Sequence, residues 1–223
     1  MPIIYSMSTT LAFFDMDYTL LDTSSGLLYV KYLRQTGQIQ RHVLARVAWW
    51  TLLYKLTLID MAQAFPKMTT FAQNTSAADT LADCRVWFSS MVRSHLNAAA
   101  IEKITWHQQH GQRVVIISAS TQFAVQPVAE HLGLDYLCTH LAVEGDRLTG
   151  KLIEPPCYAE GKVVWAKQYA DRIGADLRDA YFYTDSLSDR ALLEIVGHPI
   201  AVNPDPRLKR LAVQRGWPIE KFY

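Results

Sequence analysis

Cysteine is scarce in this chain: Cys84, Cys138 and Cys157 are far apart and odd in number. Their spacing excludes a disulfide framework and a zinc site alike, and such usage belongs to a reducing compartment, so a cytoplasmic protein is expected. An excess of charge of either sign is missing too. Lys and Arg total 22 against 21 Asp and Glu, a net charge of +1. The electrostatic footprint of a nucleic-acid partner or an anionic membrane is therefore absent. No internal repeat or low-complexity tract is visible, and Met1 to Thr10 lacks the basic start and apolar run of a signal peptide. Seven histidines (42, 95, 107, 110, 131, 140 and 198) form no clear ligand set. His107 and His110, three apart on an expected helix, are near enough to share a metal but read first as surface polar residues.

Long apolar runs are missing as well. The most apolar window, residues 43–59, is interrupted by Arg46 and Lys55 and falls short of the ~20 residues that a spanning helix needs. It reads as a buried or partner-facing helix, with a helix lying at a membrane interface as the alternative.

What is present is a core. Of 223 residues, 50% are hydrophobic, enough for one good-sized core or a core plus a smaller inserted unit. Leu11 to Phe14, Arg113 to Ile117, Ala180 to Thr184 and Pro199 to Val202 read as buried strands, and Leu141 to Ile153 as a hairpin. Helices are expected over 27–35, 41–54, 60–71, 77–96, 98–110, from Thr121 to Leu132, 159–172, 188–196 and 207–215. Strands and helices alternate from Ala98 onward, which implies a parallel sheet. The all-helical stretch between the first two strands implies an insertion over the sheet's edge.

The first strand delivers Asp15, Asp17 and Thr19 at its carboxyl end, where open α/β sheets place ligands. Two close carboxylates call for a cation or for protonation of one of them, and an oxygen-loving Mg²⁺ suits them. Taken alone, the stretch equally fits a polar turn. Other strand ends carry Ser118 before a helix start, a natural place for phosphate, and Asp185 with Asp189. Lys162 opens a helix, where a cation is disfavoured. Taken singly, Ser118 fits a strand-end cap, and Asp189 a first-turn acid.

Together these residues resemble the motifs of the haloacid dehalogenase superfamily, in the branch similar to phosphoserine phosphatase. Asp-x-Asp-x-Thr is matched by Asp15, Asp17 and Thr19, the strand-end Ser by Ser118, the Lys by Lys162, and the acidic motif by Asp185 and Asp189. The resemblance implies an α/β fold, a Rossmann-like doubly wound parallel sheet formed by residues 1–22 and 97–223, with an all-helical cap over 23–96. It implies a Mg²⁺-dependent phosphatase acting on a small phosphorylated substrate. Asp15 would be the nucleophile and Asp17 the general acid and base. Ser118, the Ala119 N–H, Thr19 and Lys162 would bind phosphate. Asp15, Asp185 and the Asp17 carbonyl would hold the metal, with Asp189 and Ser188 behind them.

The departures bear on substrate. Phosphoserine phosphatases carry a Glu where Ser24 stands, Ser-Gly-Gly where Ser118-Ala119-Ser120 stands, and Asn at Ser188. The branch is also similar to histidinol-phosphate and phosphatidylglycerophosphate phosphatases, which leaves another amino-alcohol phosphate or a lipid phosphate open. Trp49, Trp50, Tyr54 and Trp87 are aromatic candidates for a pocket wall or for core.

Overall fold

The computed structural model describes residues 9–38 and 73–223. The helices expected over 41–54 and 60–71, and with them His42, Trp49, Trp50 and Tyr54, lie outside the described residues. Within those residues no helix is long and apolar enough to cross a membrane.

The elements follow from apolar runs and their punctuation. Strand β1 (Leu11–Phe14) is fully buried, and its side chains alternate between two cores. Ala12 and Phe14 face one, while Leu11 and Phe13 face the other, the period-2 signature of a strand covered on both faces. Around it stand β2 (Arg113–Thr121), β3 (Asp135–Glu144), β4 (Arg147–Ile153), β5 (Tyr181–Thr184), β6 (His198–Val202) and β7 (Ile219–Glu220). Their order in the sheet is β4-β3-β2-β1-β5-β6-β7. All pairs are parallel except β3 with β4. The parallel sheet expected from the alternation, and the doubly wound core implied by the resemblance, are thus present.

Helices α1 (Ser25–Gln35) and α2 (Ala77–Trp87) belong to the stretch between the first two strands. They are followed by α3 (Ala98–Gln109), α4 (Gln122–Leu132), α5 (Glu160–Ile173), α6 (Arg190–Leu193) and α7 (Pro206–Arg215). The chain leaves and re-enters the sheet at one point. Leu21 and Leu96 form an antiparallel bridge, Asp22 N–H donates to the His95 carbonyl (3.0 Å) and Asn97 N–H to that of Leu20 (2.9 Å).

Several elements differ from the sequence expectation. The helix over 77–96 stops at Trp87 and gives way to a wide turn over Phe88–Val92 and a tighter one over Arg93–His95. Ser89 and Ser90 turn their hydroxyls back onto the Val86 carbonyl at 2.9 and 2.7 Å, which competes with the helical ladder. Strand β3 begins at Asp135, not Leu141, because its first half pairs parallel with β2 and only its second half forms the hairpin. The helix over 188–196 contracts to a tight turn, Leu187–Asp189, and the single turn of α6. Trp87 is fully buried, edge-on to Tyr29 at 5.4 Å, so it is core and not pocket wall.

Candidate active site

Beyond Phe14 the chain leaves the strand, and Asp15 and Asp17, which a strand would point the same way, are sent in different directions. Residues Met16–Leu20 make one wide turn, closed by Leu20 N–H to the Asp15 carbonyl and Leu21 N–H to that of Met16. Inside it Tyr18 has φ +57°, a left-handed conformation that costs an L-residue roughly 1–2 kcal/mol. Strain of this kind collects at functional sites.

Asp15 meets Lys162. The ammonium is 2% exposed and donates to Asp15 Oδ1 at 2.6 Å and to Asp189 Oδ2 at 2.7 Å. Thr184, the last residue of β5, donates its hydroxyl to the same Asp189 oxygen at 2.6 Å. Lys162 reaches this position because α5 starts hard against the preceding loop. A β-carbon at Gly161 would lie 1.8 Å from the Pro156 carbonyl oxygen, so only glycine lets the helix start there. Burial alone would lower the Lys162 pKa, but Asp15 and Asp189 reverse this and hold it above its usual value. The lysine is a permanent cation.

Asp17 turns the other way. Its Oδ1 accepts the Ser25 N–H at 2.8 Å and its Oδ2 the Ser25 hydroxyl at 3.2 Å. That hydroxyl lies 3.1 Å from the Ser120 hydroxyl, and Ser120 N–H donates to Ser118 Oγ at 3.1 Å. Ser118 is 2% exposed at the end of the apolar part of β2. Burial raises the Asp17 pKa against the pull of Ser25 and Lys162.

Charge does not balance here. Burial pushes Asp15 up to about 7 despite Lys162, with Asp189 adding to the rise. Burial, then Asp15 and Asp189, push Asp185 up to about 8. Lys162 sits within hydrogen-bond distance of Asp15 and Asp189, while Asp185, close enough to feel the charge of Asp15, has no such partner in Lys162. Two hard carboxylate oxygens short of a cation suit a hard divalent ion. Among the described residues no three His, Cys, Asp or Glu side chains gather into a metal cage, so the protein offers one or two carboxylates. That is how Mg²⁺ is usually held, with water and substrate phosphate completing its shell.

Other expected residues are placed less centrally. Thr19 is fully buried and its hydroxyl has no hydrogen-bond partner. Ser188 pairs with the Ser186 hydroxyl at 2.9 Å. His107 is not the surface residue expected: it is fully buried, with Nδ1 on Gln112 Oε1 and Nε2 2.9 Å from the Tyr183 hydroxyl. Its ring nitrogens are both engaged, so the shared metal with His110 does not form. Ser25, Ser120 and Thr184 were not expected at the site. Their partners lie 8, 95 and 5 residues away along the chain, and a serine or threonine near a turn carries no signal of its own. A groove of about 1180 Å³, lined by Trp106, Tyr181, His198 and Trp217 among others, reaches the N-terminal ends of β5 and β6 and takes in none of the site residues.

With this arrangement in view, the family described as haloacid dehalogenase-like hydrolase matches residues 12–194, from β1 to the turn beyond α6. The chain belongs to that family. This family member is similar to a histidinol-phosphatase of Neisseria meningitidis serogroup C (strain 8013), 30% identical over 219 residues that cover 95% of this chain and 98% of the relative. A solved protein of unknown function from Bordetella pertussis Tohama I superposes with a TM-score of 0.88 at 30% identity, covering 97% of this chain and 100% of that one. A phosphoserine phosphatase solved as a phospho-aspartyl intermediate analogue shares the fold, with a TM-score of 0.70 at 21% identity over 97% and 94% of the two chains. As a haloacid dehalogenase-like hydrolase, the protein is an enzyme with the Rossmann-like core of that family.

Proposed function

We propose that this hydrolase is a Mg²⁺-dependent phosphomonoesterase that works through an aspartyl-phosphate on Asp15. The observation that carries the reading is the division of labour between the two carboxylates of one turn: Asp15 on Lys162, Asp17 on Ser25. An Asp15 oxygen forms the bond to phosphorus as the ester P–O bond breaks. The departing oxygen takes the bond's electron pair together with a proton from the Asp17 carboxyl. Asp17, now a carboxylate, removes a proton from water. That water oxygen attacks phosphorus, the P–O bond to Asp15 breaks, and inorganic phosphate leaves with both aspartates restored.

Lys162 serves as a compact, fixed positive charge beside the nucleophile and the transferring oxygens, where preorganised charge is most effective. Ser118 and the Ala119 N–H are proposed to hold phosphate at the end of β2. Asp189 and Thr184 fix Lys162. The carboxylates of Asp15 and Asp185 with the Asp17 carbonyl would hold Mg²⁺, which when bound neutralises phosphate charge. Asp17 is the group that distinguishes ester hydrolysis from dehalogenation, because a halide leaves without a proton.

The substrate class proposed is a small phosphate monoester, with an amino-alcohol phosphate such as histidinol phosphate first among them. The relationship to a histidinol-phosphatase supports it, and Ser24, in place of a glutamate that would read phosphoserine, counts against phosphoserine itself. The stretch over 23–96 is proposed to act as the cap that closes on such a substrate. A panel of phosphorylated metabolites assayed with Mg²⁺ and with EDTA tests the reading. Release of phosphate from small monoesters, lost in EDTA, is expected; no turnover of any ester with Mg²⁺ refutes it.

A further inference from the structure

Asp17 needs more than proximity to act as the leaving-group acid: its carboxyl must hold one orientation while the ester oxygen departs. The side chain has two torsions, and among the described residues no cation is within hydrogen-bond distance of it as Lys162 is of Asp15. What holds it is the first residue of α1. Ser25 is 2% exposed and gives Asp17 two bonds, one to each oxygen, from its N–H and its hydroxyl. Ser24, the residue at the cap position of α1, makes no side-chain capping bond, so Asp17 takes over that task from eight residues away.

The hydroxyl of Ser25 has one hydrogen. With that hydrogen on Asp17, the 3.1 Å contact to Ser120 must be donated by Ser120. Ser120 is in turn tied through its N–H to Ser118 Oγ. A single file of short polar contacts thus runs from Asp17 on the first turn, through the start of α1, to the strand end proposed to hold phosphate. Ser120 is also the residue that stands where phosphoserine phosphatases carry glycine, so the link uses a hydroxyl that those enzymes lack.

We propose that Ser25 is a positioning residue for Asp17, and that Ser120 locks it to the phosphate end of β2. The acid then points at the leaving oxygen only while the first turn of α1 is seated on β2. This rests on the phosphatase reading above. A purely structural role for Ser25, as the start of a helix, predicts something different: lost stability and equal losses on every substrate.

The test uses the full chain with Mg²⁺ and two esters, para-nitrophenyl phosphate, whose phenolate leaves without help, and an alkyl phosphate, whose alkoxide needs the proton. kcat/KM is the quantity to compare, because it ends with departure of the alcohol and excludes the later hydrolysis step. Ser25→Ala is expected to lose on the order of 10²-fold on the alkyl ester, the scale of general acid catalysis. It should lose far less on the nitrophenyl ester, and Ser25→Thr should restore most of the difference. Ser120→Ala, which leaves α1 untouched, should show a smaller loss of the same kind and carries the test alone if Ser25→Ala does not fold. Equal losses on both esters, or none on the alkyl ester, overturn the proposal while the phosphatase reading stands. A wild type inert to both esters overturns both.

Discussion

Two buried polar clusters lie on this sheet, one around Lys162 and one around His107, and they are built differently. His107 is fully enclosed and uses both ring nitrogens on neutral partners, Gln112 and Tyr183, edge-on to the stacked rings of Phe14 and Tyr183. Nothing in that cluster needs a further charge. Lys162 bonds two carboxylates, Asp15 and Asp189, with Asp185 left outside that pairing, and burial holds Asp15 and Asp185 near neutral pKa values. Burial of polar groups is common to both, so burial alone does not mark a site. The mark is a charge that the protein leaves uncompensated, since such an arrangement costs stability unless a ligand or metal completes it.

The largest effect that separates the clusters is on turnover. Asp15→Asn should lower kcat by ~10³-fold or more, the scale seen when a nucleophile is removed, and EDTA should do the same reversibly, with activity returning on Mg²⁺. His107→Leu should leave kcat close to wild type in the same steady-state assay. A comparable fall in the His107 variant would erase the distinction.

Next comes stability. Lys162→Met strands Asp15 and Asp189 in the interior, and breaking a buried pair in this way costs about 3–5 kcal/mol. His107→Leu leaves the Tyr183 hydroxyl and Gln112 unpartnered, for about 1–3 kcal/mol. Urea unfolding in EDTA measures both, and the order of the two losses is the prediction.

The clusters should also differ in pH response. Burial lowers the His107 pKa below its ordinary 6.5, so below that value the unfolded chain binds a proton that the folded chain does not. Its contribution to stability is then lost as pH falls, and wild type should weaken relative to His107→Leu as pH drops through the ordinary 6.5 and below. Parallel pH curves for the two proteins would contradict this. The smallest effect is at the edge of the site. Asp205 accepts the N–H groups of Arg207, Leu208 and Leu187, capping α7 and pinning the turn after Asp185. Asp205→Ala should cost ~1 kcal/mol, read as a modest fall in the urea midpoint.

Much of the Lys162 cluster was legible in the sequence, and the His107 cluster was not. Asp15, Ser118 and Asp185 follow apolar β-rich runs, so their positions at one edge of a parallel sheet follow from local pattern and topology. Lys162 was visible as a cation at a helix start, where cations are out of place. His107 looks like any polar residue near a helix end, and one of the two partners that satisfy it inside, Tyr183, is 76 residues away. The same holds for Ser25 and Ser120, joined across 95 residues. The first half of β3 was missed because its partner is the neighbouring parallel strand, whereas the antiparallel half announces itself through Glu144-Gly145-Asp146. Long-range pairing, more than local propensity, decided what stayed hidden.

That phosphorus is carried by the first aspartate can be tested directly. Wild-type protein mixed with a radiolabelled phosphate monoester and Mg²⁺, acid-quenched within a single turnover and digested, should show the label on the peptide that contains Asp15. The label should be absent from the Asp15→Asn variant. Turnover of the ester with no labelled peptide at any quench time, or with label on a peptide lacking Asp15, would contradict it.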